Sequence, residues 1–460
     1  MANSVIEQFK KDKSKHLGDL KKLVAIPSVS FPNFDPKEVH RSGEAVKALL
    51  TESGLENVQM MTMGDSFPYV YGEWLKAPGK PTLLLYAHHD VQPPGNAEKW
   101  KSPAFEATER DGRLYGRGAV DDKAGVVCHT AVIASYLKAV GKLPVNIKVL
   151  IEGEEEIGSN NLNAFVEKYK KTLQADAVVI MDAANFDVGM PSITIALRGV
   201  SIVEVEVKAL EHSVHSGMWG GPIPDPAMAL CKMLASAADA EGKIAIPGVL
   251  DDVRALSDAE KEALEKLPFN EADFRKQSSL LSGVPFAGGK ATAYEKMWFQ
   301  PTITVNAFEA SSRKQAGSII NGSAWAKVSI RTVPNMDPQK TTRLLKEHLQ
   351  KSCPWGLQVE IHSEGAGSWW FSKPEGEMIQ AAQRALEFSF GTKPVLMGCG
   401  GSIPFVQSLC NAIGGKPALL LAVEDPYTNA HSENESLHLA DWEKAVIGEI
   451  QLLEEVAKLV

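Results

Sequence analysis

The stretch at residues 83–95, LLLYAHHDVQPPG, constrains the chain more than any other. Leu83, Leu84, Leu85 and Tyr86 run together between Pro81 and the pair Pro93-Pro94, with no polar residue alternating among them. A continuous apolar run of this kind reads as a strand buried on both faces, as in a parallel sheet covered by helices. Ligands of such sheets gather at the carboxyl ends of the strands. This strand delivers His88 and Asp90 there without an intervening turn. Two apart in extended chain, they leave the same face, so the carboxylate can hold one imidazole nitrogen while the other binds a metal. His89 points the other way. Taken alone, a His-x-Asp pair is more often a core histidine tied to a neighbouring acid, so the decision falls to the rest of the chain.

Four further elements repeat the pattern. Residues 114–127, LYGRGAVDDKAGVV, place Asp121 and Asp122 between a Gly-punctuated loop and a helical pattern at 124–137. A helix N-terminus stabilises negative charge, and one Asp there is an ordinary cap; two in succession ask for more. The glycine spacing is not GxGxxG, so a dinucleotide site is unsupported. The strand at 145–151 runs into EGEEEIGS, which crowds Glu152, Glu154, Glu155 and Glu156 ahead of a helix expected to start at Ser159. A charge run is usually a solvated face, but carboxylates crowded at a strand end repel unless a cation binds them. The strand at 177–181 ends on Asp182, and a buried strand at 418–423 feeds EDPYTNAHSENE, with His431 and Glu435 on the following loop. In an α/β sheet these positions converge on one edge. They predict a polynuclear metal site with His431 as its second imidazole.

At 460 residues the chain exceeds one ordinary compact core. From residue 199 the texture changes: Val203, Val205 and Val207 alternate with Glu204, Glu206 and Lys208, and Ala326, Val328 and Ile330 with Lys327, Ser329 and Arg331. That is the pattern of an antiparallel sheet open on one face. The predicted fold is therefore α/β: a domain with a mostly parallel sheet covered by helices, formed by 1–198 and 374–460. It is interrupted at 199–373 by an inserted α+β domain, whose exposed sheet edge is a candidate dimer surface. A net charge of −9 without clustered Lys and Arg argues against a nucleic-acid partner. No stretch suits a membrane span or a secretory signal, so no membrane association is expected. Five scattered cysteines without a CxxC pair predict reduced, mostly buried thiols and a cytoplasmic location.

The ordered set HHDVQPPG, LYGRGAVDDKAG, EGEEEIGS, MDAANF, HSVHSGMWGG, VSIRTVPN, GGSIP and NAHSENE resembles the M20 family of dinuclear metallopeptidases, most closely its carnosinase-like dipeptidase branch. The resemblance spans nearly the whole chain, and it implies a three-layer α/β/α catalytic domain (1–198 and 374–460) interrupted by a lid and dimerisation domain (199–373). It implies that His88 and Asp182 bind one divalent ion and Glu156 and His431 a second, with Asp121 bridging, Asp90 orienting His88 and Glu155 as general base. It further implies that His215, Ser318, Arg331, Ser402 and His431 face the substrate, His215 acting catalytically on the oxyanion and, in this family, typically in the partner subunit of a homodimer. Two positions depart from the branch: Ser318, where Thr or Asn is commoner, and the region of Glu364, where a His is usual.

Two divalent ions, most simply Zn2+ with Mn2+ or Co2+ as alternatives, bring four positive charges. Asp121, Glu156 and Asp182 bring three negative ones, and a bridging hydroxide completes neutrality. The expected activity is hydrolysis of the peptide bond of dipeptides or small peptides by that hydroxide, with Glu155 shuttling the proton. An N-acyl amino-acid amidohydrolase on the same scaffold is the alternative, suggested by the departures at Ser318 and Glu364. A non-catalytic metal-binding protein is disfavoured, because pure binding has no need of Glu155 beside Glu156.

Overall fold

The structure, a computed structural model, describes residues 2–314, 316–401 and 405–459. The chain divides into two units: Met1–Ile195 with Ser372–Met397 and Phe405–Val460, and Ala196–Phe371 with Gly398–Pro404.

In the first unit the strands lie in the order Glu56–Met61, Tyr69–Trp74, Asn146–Glu152, Thr82–His88, Ala177–Ala184, Ala418–Glu424, Ser192–Leu197. The four central strands, from Asn146–Glu152 to Ala418–Glu424, are parallel, and antiparallel strands flank them on either side. Leu83, Leu84, Leu85 and Tyr86 are all wholly buried. Both alternating sets of side chains are therefore covered, which requires helices on the two faces. Each such apolar side chain contributes about 1.5–3 kcal/mol on burial, so this strand anchors the centre of the sheet.

The helix Lys123–Val140 links Thr82–His88 to its parallel neighbour Asn146–Glu152, so its N-terminus falls at the carboxyl edge of the sheet. Asp122 caps it, accepting from Gly125 N at 3.2 Å, and Gly141 ends it in the left-handed region at φ 69°. The helix after the Glu155 turn is Leu162–Leu173, and its N-cap is Asn161 rather than Ser159. Gly158 and Ser159 both take positive φ to turn the chain, which removes Ser159 from the capping position.

The second unit holds an antiparallel sheet ordered Thr302–Glu309, Ser323–Thr332, Gly199–Lys208, Gln358–Gly367. Val203, Val205, Val207, Ala326, Val328 and Ile330 form one apolar face, packed with Leu230, Met233, Leu345 and Leu349 from the helices Pro226–Ala235 and Pro338–Ser352. Besides Ala196–Phe371, the unit takes Gly398–Pro404, a stretch that the expected division at 199–373 leaves with the first part. The reason lies far away in sequence: Arg198 donates from Nε to Gly400 O and from its backbone N to Cys399 O. Gly398 lies so close to Trp298 that a Cβ would sit 2.5 Å from the indole's own Cβ. None of the five cysteines is in a disulfide, yet only Cys128 and Cys410 are buried, and Cys231 is exposed, so the expectation of mostly buried thiols fails.

Candidate metal centre

His88 ends its strand wholly buried, with Nδ1 3.1 Å from the Asp90 carbonyl oxygen and 3.4 Å from its carboxylate Oδ1. That leaves Nε2 directed outward, 3.0 Å from Asp121 Oδ1 and 3.9 Å from Asp182 Oδ1. Asp121 stands one residue before the cap of the helix Lys123–Val140, joined to Asp122 by a cis peptide bond. Its second oxygen, Oδ2, lies 3.0 Å from His431 Nε2, and the same nitrogen is 3.3 Å from Glu156 Oε2. His431 sits at φ 61° on the loop beyond Ala418–Glu424, its side chain more than half exposed.

Two donor groups result: His88, Asp121 and Asp182, and Asp121, Glu156 and His431, with the ligand atoms of each group within 4.8 Å of one another. They share Asp121, one oxygen to each. The electrostatics fit cations at both places. Burial, followed by the neighbouring acids Asp122, Asp121 and Glu155, pushes the Asp182 carboxyl well above the usual carboxylate range. Burial and Asp121 do the same to Glu156. Burial also raises Asp121, but hydrogen bonds from His431 and His88 override it and hold that carboxyl below its ordinary value. The His88 imidazole is raised in turn: burial opposes its charge, and Asp121 and Asp90 outweigh burial. Two imidazoles and three carboxylates suit two hard-to-borderline divalent ions.

Glu155 and Glu156 occupy a single 3-10 turn, Glu155–Ile157, immediately after the strand Asn146–Glu152. Asp90 fixes this turn: its Oδ1 accepts from Glu155 N at 3.1 Å and its Oδ2 from Glu156 N at 3.0 Å, with Ser30 Oγ donating to Oδ2 at 2.7 Å. One buried carboxylate thus orients the imidazole of His88 and the turn carrying both glutamates. Burial pushes the Glu155 carboxyl up to about 7, with Asp90 and Asp121 adding to it against the cationic neighbours His88 and His431. A carboxyl poised there is matched to proton transfer near neutrality.

Gln92 and Arg117 escaped the sequence reading. Gln92 holds both oxygens of Glu156, through its backbone N at 3.1 Å and Nε2 at 2.7 Å. Arg117 and Glu435 form a buried ion pair beneath the loops. Glu154 is structural, accepting from Tyr69 and Asn161. His89 hydrogen-bonds Pro68 O, and burial pushes its imidazole down to about 4, so it is a neutral core residue.

The remaining predicted residues belong to the second unit. His215 lies on the short strand Val214–His215, exposed, its Nδ1 accepting from Gly217 N. Ser318 is brought beside it, since its carbonyl accepts from Ser216 N at 2.8 Å. Arg331 is half-buried near the end of Ser323–Thr332, opposite Thr302 and Val200. Glu364 pairs with Lys327. Ser402 lies outside the described residues.

An α/β unit with a parallel core that gathers two imidazoles and a shared carboxylate at its strand ends has the architecture of a dinuclear metallohydrolase. The chain matches Peptidase family M20/M25/M40 over residues 84–455 and belongs to that family. It is 31% identical over 428 residues to a cysteinylglycine-S-conjugate dipeptidase of Corynebacterium striatum, covering 92% of each chain. The solved structure of human carnosine dipeptidase 1 superposes with a TM-score of 0.86 at 27% identity, over 99% of both chains. That of the dipeptidase Dug1p from Saccharomyces cerevisiae gives 0.85 at 25% identity, over 100% of this chain and 99% of the other. The protein is thus a metal-dependent dipeptidase of the carnosinase and Dug1 branch, in a family that uses dinuclear divalent metal sites.

Proposed function

We propose that the protein cleaves dipeptides bearing a free C-terminal carboxylate. His88 and Asp182 hold one divalent ion, Glu156 and His431 the other, and Asp121 both. The observation that carries this reading is the position of Asp121, each of whose oxygens lies 3.0 Å from a different imidazole Nε2. Zinc suits the mixed imidazole and carboxylate donors best, with manganese and cobalt as alternatives. Bound ions supply an acidified water and polarise the scissile carbonyl. Glu155 takes the proton from the attacking water and returns it to the leaving amine. Asp90 keeps His88 in the tautomer that leaves Nε2 available.

On the substrate side, Arg331 takes the terminal carboxylate, for which its planar fork is suited, and His215 the developing oxyanion, with Ser318, Ser402 and His431 as further contacts. Those assignments rest on the family motifs. A homodimer through the second unit is supported by its edge strand Thr302–Glu309, which leaves Val305 and Phe308 exposed. A cytoplasmic location is supported by five cysteines none of which is in a disulfide. No helix among the described residues is long and apolar enough to cross a membrane.

The test is a panel of Cys-Gly, β-Ala-His, their C-terminal amides and N-acetyl amino acids, run with each metal and read by mass spectrometry. Cleavage confined to the free-carboxylate dipeptides is expected. Hydrolysis of the acylated amino acids alone would move the assignment to an amidohydrolase.

A further inference from the structure

Arg117 and Glu435 are 1% and 0% exposed, and neither is a metal ligand or a substrate contact in the reading above. Arg117 Nη1 donates to Glu435 Oε2 at 2.6 Å. The same oxygen accepts from Gly118 N at 3.0 Å, and Oε1 accepts from Val120 N at 3.0 Å and Asp121 N at 3.2 Å. Each carboxylate oxygen is therefore doubly satisfied, and three of the four donors are backbone groups of the loop that carries Asp121. Arg117 Nη2 reaches the other way, to Pro93 O and Ser432 O, both at 3.1 Å. Pro93 follows Gln92, whose backbone and side chain hold both oxygens of Glu156, and Ser432 follows His431.

All three members of one donor group are thus tied to this pair: Asp121 through its backbone N, Glu156 by way of Gln92 and Pro93, and His431 through Ser432. The other group shares Asp121 but differs in its remaining members: His88 ends a sheet strand, paired with Glu152, and Asp182 lies in the strand Ala177–Ala184, so both are carried by the parallel sheet. His431 has no such support, being on an exposed loop with φ 61°.

We propose that Arg117 and Glu435 are positioning residues that assemble the Glu156 and His431 ion site selectively, while the His88 and Asp182 site forms without them. This rests on the two-ion reading above. The geometry explains why both must be ionic and planar. A carboxylate alone meets four donors, and a guanidinium alone spans a carboxylate on one side and two carbonyls on the other.

The test is titration of the metal-stripped full-length chain with Zn2+ by calorimetry, with bound zinc counted after dialysis and folding checked by circular dichroism. The wild type takes up two ions. Glu435→Gln keeps one at wild-type affinity and binds the second about 10–100-fold more weakly. Excess zinc then restores kcat without changing KM. Should Glu435→Gln not fold, Arg117→Lys carries the same test, because lysine keeps the charge but cannot span both loops. Two ions at wild-type affinity in a folded variant would overturn the inference, as would equal weakening of both. A wild type that binds a single ion would overturn the two-ion reading itself, and this inference with it.

Discussion

Asp90→Asn isolates the part of the centre that never touches a metal or a substrate. The wild-type carboxylate accepts from Glu155 N, Glu156 N and Ser30 Oγ at 2.7–3.1 Å, with no exposure to water. The amide has the same shape but one oxygen. Whichever way it turns, one of the two glutamate N–H groups then faces an NH2 and loses its acceptor. Hydrogen bonds to a charged group are worth about 1.5–3 kcal/mol net, and an unsatisfied buried donor costs a similar amount. The loss of one such bond predicts a destabilisation of about 1.5–3 kcal/mol and a Tm lowered by about 3–6 °C. His88 loses its orienting carboxylate at the same time, so metal affinity or kcat should fall about 10–100-fold. Calorimetric melting with saturating zinc and a parallel zinc titration measure both. A variant with unchanged Tm and unchanged metal affinity would refute the idea that one buried carboxylate organises imidazole and glutamate turn together.

Glu155→Gln should retain two ions and lose about 10²–10⁴-fold in kcat, as expected for removal of a general base; turnover within twofold of wild type in a metal-replete sample would sink that role. Chelation should lower the melting temperature, because Asp121, Glu155, Glu156 and Asp182 then crowd one cleft uncompensated. An ion at a hundred times its Kd adds about 2.7 kcal/mol, and an unchanged Tm after verified metal removal would contradict this. Behind the sheet, His129 Nδ1 lies 2.7 Å from Glu449 Oε1, both wholly buried. Burial lowers the imidazole's pKa, but Glu449 outweighs it and leaves the net value raised. The charged pair therefore adds stability that is complete below about pH 6.5, the unfolded value, and declines as pH rises through the folded one. The stability gap between wild type and His129→Gln in urea should accordingly narrow from pH 6 to pH 9; a gap that widens would show that the pair is not held charged.

The placement of the candidate donors was legible in the sequence because each follows directly from an element whose pattern is local. An apolar run that ends in a histidine or an acid must place that group at the carboxyl edge of a parallel sheet, and His88, Asp182 and the Glu155-Glu156 turn all follow this rule. Alternation in 203–208 and 326–331 likewise fixed which face of the second sheet is apolar. Less legible was whatever depends on partners distant in sequence. Glu435 meets Arg117 across 318 positions, and no local pattern marks either as more than a charged loop residue. Gly398–Pro404 joins the second unit through Arg198 and Trp298, about which the surrounding glycines say nothing. Ser159 had the right chemistry for a helix cap, but the chain needed a left-handed residue there, and Asn161 took the position instead. Glu364, read as a departure bearing on substrate, forms an ion pair with Lys327 on the neighbouring part of the second sheet, a partner no local pattern announced.

The central claim is that Asp121 is shared by two ions. Anomalous diffraction from crystals grown with zinc tests it most directly. Two peaks are predicted, one within bonding distance of His88 and Asp182 and the other of Glu156 and His431, each bonded to a different oxygen of Asp121. A single peak at full occupancy, or two peaks with Asp121 bound to only one of them, would contradict the account.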